Sequence, residues 1–217
     1  GGGKLSWANA EAELLKRKIT VVMREDAQKE ALAVAEALTK GGITSFEITF
    51  ESKHAAAALK TLKEKQYFAG AGTVRTLDDA EAALKAGADF IFCPHFAPEL
   101  VRFGREQDLL VIPGIFTPSE LAAAYQAGAT VVKLFPASTG GPGHLKALRG
   151  PFPELRCIPT GGISADNLGE YIRAGAVGVG LGGGLVSKAA ISGKRWEALT
   201  EEAAKVVAAA KSAGWTL

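Results

Sequence analysis

Residues 126–135, QAGATVVKLF, join the end of a helix to an apolar strand through one glycine. The same arrangement occurs four times in the chain, and its glycines are 45, 41 and 47 residues apart: Gly42, Gly87, Gly128 and Gly175. Glycine is the residue that most readily adopts the left-handed conformation just past the C-terminus of a helix. We therefore expect four helix ends, each followed at once by a strand.

A further strand and helix lie between successive copies, so the true repeating unit is about half as long. Eight apolar runs are typical of strands, at residues 19–23, 45–50, 67–71, 89–93, 109–112, 130–135, 156–159 and 177–181. Helical stretches separate them, at about residues 28–39, 54–65, 77–85, 97–107, 118–126, 143–148, 165–173 and 196–213. Apolar strands that alternate with helices indicate a parallel sheet with both faces covered.

Eight such units build either a closed barrel or an open doubly wound sheet. The count favours an α/β fold, a single (β/α)8 TIM barrel, which typically takes about 250 residues and tolerates just over 200. An additional N-terminal helix is expected over residues 4–18. We expect residues 1–217 to form this one domain and assign no role to residues 1–3. The chemistry of such a barrel lies at the carboxyl ends of its strands.

Composition argues against several classes of function. The 217 residues carry 25 Lys plus Arg against 23 Asp plus Glu, a net charge of +2, and no basic block that would bind nucleic acid. The chain shows neither an apolar run of the ~20 residues that span a membrane nor a secretory signal pattern. Two cysteines and three scattered histidines show no metal-ligand spacing. We expect a cytoplasmic protein with no cofactor, no metal, and no nucleic-acid or membrane partner.

Two of the expected strands contain a charged residue among apolar ones, Glu47 in FEITF and Lys133 in VVKLF. A buried unpaired charge is costly, and burial favours the neutral form. A neutral Lys133 amine is a nucleophile toward carbonyl groups, and a nearby Glu47 can carry protons, which together suffice for Schiff-base chemistry. The alternatives are a mutual Lys–Glu ion pair, or side chains that extend out of the barrel mouth.

Glycine-rich loops follow the last two strands, PTGGIS at residues 159–164 and GLGGG at residues 180–184. In a TIM barrel these two loops frequently bind phosphate, through backbone N–H groups and a helix N-terminus. The sequence therefore predicts an anion site at the same end of the barrel as the lysine. Ser164 also fits the N-cap of the next helix, which is compatible with both readings.

Over about residues 15–187 the chain resembles the 2-keto-3-deoxy-6-phosphogluconate (KDPG) aldolases, a family that includes the 4-hydroxy-2-oxoglutarate (KHG) aldolases. The resemblance rests on the order and spacing of EIT at 47–49, GAGTV at 70–74, PG at 113–114, TPSE at 117–120, KLFPA at 133–137, GPF at 150–152 and PTGGI at 159–163. It implies a class I aldolase of Entner–Doudoroff-type metabolism, a homotrimer of barrels that needs no metal. Its substrate would be a phosphorylated sugar acid, cleaved to pyruvate and glyceraldehyde 3-phosphate.

The resemblance also implies roles for single residues. Lys133 would form the Schiff base with the keto carbon, and Glu47 would move protons in carbinolamine formation, dehydration and C–C cleavage. Phe135 would pack over the pyruvyl group, or would simply cap the core. The remaining substrate-binding positions are Thr73 and Thr160 at the pyruvyl carboxylate and Gly161, Gly162, Gly182 and Gly183 at the phosphate.

Two departures from the family pattern concern anion binding. Many members carry Arg two residues after the Glu-Val-Thr segment, where this chain has Glu51. Arg24, just after the first strand, could reach the substrate carboxylate instead, or it is a solvated loop charge. Gly183 stands where members often have Ser, which leaves fewer donors for a phosphate.

Three classes of function are compatible with parts of this pattern. Cleavage of KDPG is the leading hypothesis, and KHG and 2-keto-3-deoxy-6-phosphogalactonate are close alternative substrates. An isomerase or synthase of phosphorylated intermediates does not need a strand lysine. A trimeric barrel that serves as a non-catalytic assembly block is the alternative of a different class; Lys133 and Glu47 argue against it, because buried ionisable groups contribute little to stability.

Overall fold

The computed structural model describes residues 3–217, so Gly1 and Gly2, which were assigned no role, lie outside the described residues. The strands are β1 Ile19–Met23, β2 Ser45–Thr49, β3 Phe68–Gly72, β4 Phe90–Phe92, β5 Leu110–Ile112, β6 Gly114–Ile115, β7 Val132–Leu134, β8 Cys157–Pro159 and β9 Val179–Leu181. The helices are α1 Trp7–Arg17, α2 Glu25–Gln28, α3 Ala31–Lys40, α4 Ala55–Glu64, α5 Leu77–Lys85, α6 Pro98–Gln107, α7 Pro118–Gln126, α8 Ala137–Arg149, α9 Leu168–Arg173, α10 Lys188–Ser192 and α11 Trp196–Ser212.

The fold is α/β with a parallel sheet. Six strands pair in the order β5-β4-β3-β2-β1-β9, and three in the order β6-β7-β8. Strands β5 and β6 are separated only by Pro113, which has no N–H to donate to a ladder. A parallel bridge between Thr160 and Gly180 connects the residue after β8 to β9. Every residue of the strands is buried, as expected for a sheet covered on both faces.

The positions of the eight predicted strands agree with the structure, but some elements differ. The predicted fifth strand is followed after Pro113 by the additional strand β6. The single helix predicted over residues 28–39 is two helices, α2 and α3, and the short helix α10 was not predicted. Helix α8 begins earlier than residue 143, although a kink at Gly141, with φ 71°, separates its first turn from the rest.

Helix α1 lies against the amino-terminal ends of the strands. The Trp7 backbone N–H donates to Asp108 at 2.9 Å, and the Trp7 indole N–H donates to Thr130 at 3.0 Å. At the other end of the helix, Arg17 donates to the Thr44 carbonyl at 2.9 Å. These three partners stand just before β5, β7 and β2. The carboxyl-terminal ends of the strands, where the candidate residues lie, are therefore on the side away from α1.

Among residues 3–217, no helix has both the length and the apolar character that crossing a bilayer requires.

Candidate active site

Glu47 and Lys133 are both buried inside strands. Glu47 is the third residue of β2 and is 4% exposed, and Lys133 is the central residue of β7 and is 5% exposed. Side chains that extend out of the barrel mouth into solvent are therefore excluded. None of the seven ion pairs within residues 3–217 includes either residue, so the alternative of a direct Lys–Glu ion pair is also wrong.

The Glu47 side chain occupies space that a glycine leaves open on the neighbouring strand. In the register of β2 and β3, Glu47 is opposite Gly70 and Thr49 is opposite Gly72. A Cβ atom added to Gly72 would overlap the carboxyl group of Glu47. The Glu47 side chain therefore runs toward the carboxyl end of the sheet and lies over Gly72.

The ionisable side chains around Lys133 shift one another's pKa values. Burial raises the pKa of the Glu47 carboxyl, and the positive charges of Lys133 and Arg24 oppose part of that rise. Burial also raises the pKa of the Cys93 thiol to about 12, and the charge of Lys133 opposes this rise too. Cys93 follows β4 and is fully buried, so it belongs to the same group of interior side chains. The neutral form of Lys133 stays a prediction.

Phe135 lies beside the lysine. The Lys133 Nζ atom is 4.8 Å from the centroid of the Phe135 ring. Phe135 follows β7 and is 37% exposed, so it does not close the core. An aromatic face exposed next to an amine is suited to contact a small group bound to that amine.

Two threonines stand at the carboxyl ends of strands. Thr73 directly follows β3 and is half-buried, with a φ of 50°. This left-handed conformation is unfavourable for a β-branched residue, and such strain concentrates at functional sites. Thr160 directly follows β8, and its side chain lies against Gly180, where an added Cβ would meet the Thr160 Oγ1 atom at 2.5 Å.

The two glycine-rich loops differ in their surroundings. Gly161 and Gly162 have φ values of 102° and 73°, and a Cβ at Gly162 would come within 2.6 Å of the Ser138 side chain. In contrast, Cβ atoms at Gly182 and Gly183 would meet no atom of the described residues within 4 Å. The loop after β9 thus presents bare backbone to open space, as an anion cradle requires.

Arg24 is paired with the acidic residue that marks the departure from the family pattern. The Arg24 guanidinium donates to the Glu51 carboxylate at 2.8 Å, and the two side chains are 61% and 53% exposed. Farther out, Lys188 stands 3.7 Å from Asp26. The solvated loop charge expected as one alternative for Arg24 is therefore neutralised locally by Glu51.

Two clefts open at the carboxyl end of the sheet and share Glu51. The first, of about 430 Å³, is lined in part by Val22, Arg24, Gly183 and Lys188. The second, of about 560 Å³, is lined in part by Thr73, Arg75, Asp79 and His95. A third cleft, of about 640 Å³, contains Arg17 and Asp89 near the amino-terminal ends of the strands and none of the candidate residues.

Within residues 3–217, no group of three or more His, Cys, Asp or Glu side chains is placed to hold a metal ion.

The model of the KDPG and KHG aldolase family matches residues 10–202. This chain belongs to that family. It is 38% identical over 192 residues to the 2-dehydro-3-deoxy-phosphogluconate aldolase of Pseudomonas aeruginosa, an alignment that covers 86% of this chain and 87% of the relative. The resemblance found in the sequence is thus confirmed for aldolases of this family.

Solved structures of related proteins have the same fold as this chain. A KDPG aldolase of Legionella pneumophila, with pyruvate captured at low pH as a covalent carbinolamine intermediate, is 34% identical, with a TM-score of 0.85 over 91% of this chain and 97% of the other. A cube-shaped protein cage designed by fusing symmetric oligomeric domains contains a chain that is 30% identical, with a TM-score of 0.82 over 90% of this chain and 73% of the other.

Three residues near the site were not identified from the sequence: Gly72, Arg75 and Cys93. Gly72 lies within the GAGTV motif, where alternating small residues in a strand indicate that something large packs over them. Arg75 comes directly after this motif, and in the sequence only its charge indicates a possible role in binding. Cys93 ends an apolar run and offers no signal beyond its position at the end of a strand.

Proposed function

We propose that this chain is a class I aldolase that cleaves KDPG to pyruvate and glyceraldehyde 3-phosphate. The observation that carries the proposal is a lysine and a glutamate buried together in the strand interior, without an ion pair between them, beside clefts at the carboxyl end of the sheet. Membership of the aldolase family supports the same chemistry. It also argues against the non-catalytic assembly block.

The reaction assigns one covalent role and one proton-transfer role. The Lys133 amine attacks the C2 keto carbon, and the carbinolamine loses water to give an iminium ion. Glu47 takes the proton of the C4 hydroxyl while the C3–C4 bond breaks, and the electron pair of that bond moves into the iminium. Protonation of the resulting enamine at C3, followed by hydrolysis, releases pyruvate and restores the amine.

The remaining candidate residues are proposed to bind the two ends of the substrate. The hydroxyls of Thr73 and Thr160 hold the pyruvyl carboxylate, and Phe135 covers the pyruvyl group beside Lys133. The backbone N–H groups of Gly161, Gly162, Gly182 and Gly183 receive the phosphate. Arg24 stands at the rim, in the cleft that it shares with Gly183.

We further propose how the whole molecule is built and where it acts. The two sheets close into one (β/α)8 barrel over the described residues 3–217, with α1 as the additional N-terminal helix. The Thr160–Gly180 bridge and the continuity of β5 and β6 across Pro113 support closure. The protein acts as a cytoplasmic homotrimer without a cofactor, on small-molecule keto acids, and the symmetric oligomeric domains of the similar designed cage support assembly.

A second substrate, KHG, is favoured by two observations. The loop after β9 has no side-chain donor at Gly182 or Gly183, and Arg24 is occupied by Glu51. Both features reduce the positive potential available to a phosphate. Comparing kcat/KM for KDPG and KHG decides between them, since phosphate recognition predicts a preference for KDPG.

Trapping with borohydride tests the mechanism. Incubation with pyruvate and borohydride is expected to add a pyruvyl-sized mass to the native protein, located at Lys133 by peptide mapping. Lys133→Ala is expected to abolish the adduct and the cleavage activity, whereas Lys146→Ala, on the exposed surface of α8, retains both. Native protein whose mass is unchanged would rule out imine chemistry.

A further inference from the structure

A keto acid bound as an imine to Lys133 keeps its carboxylate inside the site. Taking a carboxylate out of water is costly unless it is both paired and hydrogen-bonded. The iminium ion supplies a positive charge on the neighbouring carbon but cannot hydrogen-bond both carboxylate oxygens, so a further donor is needed. Arginine is well suited to this task, because its planar guanidinium donates two parallel hydrogen bonds to a carboxylate. Hydroxyl groups such as that of Thr73 add hydrogen bonds but no charge.

Three Lys or Arg side chains line the two clefts at the carboxyl end, and two of them are already paired. Arg24 contacts Glu51 at 2.8 Å, and Lys188 lies 3.7 Å from Asp26. Arg75 takes part in none of the seven ion pairs of residues 3–217. Of these three cations, Arg75 is therefore the one whose charge is available to a ligand.

Arg75 is also tied by the chain to the catalytic pair. The Glu47 carboxyl group lies over Gly72, Thr73 follows directly, and Arg75 comes two residues later. Two residues span at most about 7 Å, so the Arg75 backbone stays close to the Thr73 hydroxyl. Both residues line the same cleft of about 560 Å³.

The acidic groups of that cleft have other partners or other stabilisation. Glu51 is held by Arg24 at 2.8 Å. Asp79 lies in the first turn of α5, where the positive end of the helix dipole stabilises its charge. The cleft also contains His95, which can add a hydrogen bond to an anion but cannot replace a permanent charge.

We propose, on the basis of the function proposed above, that Arg75 binds the carboxylate of the 2-keto acid together with Thr73. The loop after β3 would then supply the positive charge that many family members have in the loop after β2, where this chain has Glu51. Arg75 thereby fixes the orientation of the keto group toward Lys133 and sets the selectivity for 2-keto acids over neutral ketones.

The test measures how the trapped fraction depends on ligand concentration. Pyruvate and methyl pyruvate, which has no carboxylate, are each titrated against the protein in the presence of borohydride, for the native chain and for Arg75→Gln and Arg75→Lys. Arg102→Gln, an exposed arginine of α6, is the matched control for loss of one positive charge. Thermal unfolding of each variant is measured alongside.

Arg75→Gln is expected to raise the half-saturating pyruvate concentration by at least about tenfold, the effect of losing a charge-assisted hydrogen bond, and Arg75→Lys by less. For methyl pyruvate the same variant is expected to change the value by less than about twofold, and Arg102→Gln changes neither ligand. Unchanged pyruvate trapping in Arg75→Gln, or an equal loss for both ligands, would overturn the assignment. Absence of trapping in the native chain would instead reject the aldolase mechanism itself.

Discussion

Burial of Glu47 determines how this carboxyl group titrates and what it contributes to stability. Burial raises its pKa above the ordinary value of 4.5, so the folded chain binds the proton more tightly than the unfolded chain does. The stability contributed by this group is therefore fully present below the unfolded pKa and is lost as the pH rises through the folded pKa. At neutral pH the site keeps a carboxyl group that costs stability, which is typical of a residue retained for its chemistry.

Glu47→Gln separates these two properties. We expect kcat to fall by about 10² to 10⁴-fold, because proton transfer is lost, while the half-saturating pyruvate concentration changes by less than about threefold. Since the amide does not ionise, the melting temperature relative to the native chain is expected to be higher near pH 7.5 than near pH 4. Calorimetry at both pH values measures this difference. An equal difference at both would mean that Glu47 titrates in the folded chain as it does in the unfolded one.

At the scale of elements, the pairing of β2 with β3 creates the space for the Glu47 carboxyl group. The register places Thr49 opposite Gly72, and the Glu47 side chain lies over that glycine. Gly72 is buried within a strand and has no positive φ, so its lack of a side chain serves to leave space rather than to free the backbone.

Gly72→Ala tests this arrangement. The new methyl group must displace the Glu47 carboxyl, and we expect kcat to fall by at least about tenfold, with a loss of about 1–3 kcal/mol in unfolding free energy from overpacking. Gly143→Ala, in α8, meets no described atom within 4 Å and is expected to keep native activity. Steady-state kinetics and denaturant unfolding on both variants make the comparison. Native kcat in Gly72→Ala would show that Glu47 has room elsewhere.

The elements also show what one sequence can and cannot predict. Apolar runs and glycine-terminated helices locate the strands, because burial on both faces of a sheet leaves no other pattern. Helix α10 cannot be predicted in this way, because its five residues are too few to show a periodic pattern. Only the N-cap by Ser187 indicates where it begins. The break between α2 and α3 contains no Gly or Pro, so the sequence gives no sign of it.

The same limit applies to the site. Lys133 and Glu47 are visible in the sequence because a charge inside an apolar strand violates the pattern. Gly72 and Cys93 acquire meaning only from the register that brings different strands together, and a single sequence does not contain that register. The partner of Arg24 is likewise a tertiary contact, between the loops after β1 and β2.

At the scale of the whole molecule, the proposed homotrimer can be tested directly by measuring the mass of the assembly. A trimer is expected to elute with a mass three times the 22.5 kDa of one chain when size-exclusion chromatography is coupled to light scattering. Because subunit association is a mass-action equilibrium, the measurement is made at several micromolar concentrations. A mass of one chain at all of them would contradict the homotrimer while leaving the proposed chemistry of Lys133 untouched.

Helix α1 contacts residues just before β2, β5 and β7 and so covers the amino-terminal ends of these three strands. In the proposed mechanism, substrate and both products therefore enter and leave at the carboxyl ends of the strands, where the clefts that contain Arg24 and Arg75 open. In the cleavage direction, pyruvate is still covalently attached when the aldehyde forms, so the aldehyde departs first and pyruvate last. Under this mechanism, accumulated pyruvate competes with the incoming sugar acid, because both form an imine with the same amine.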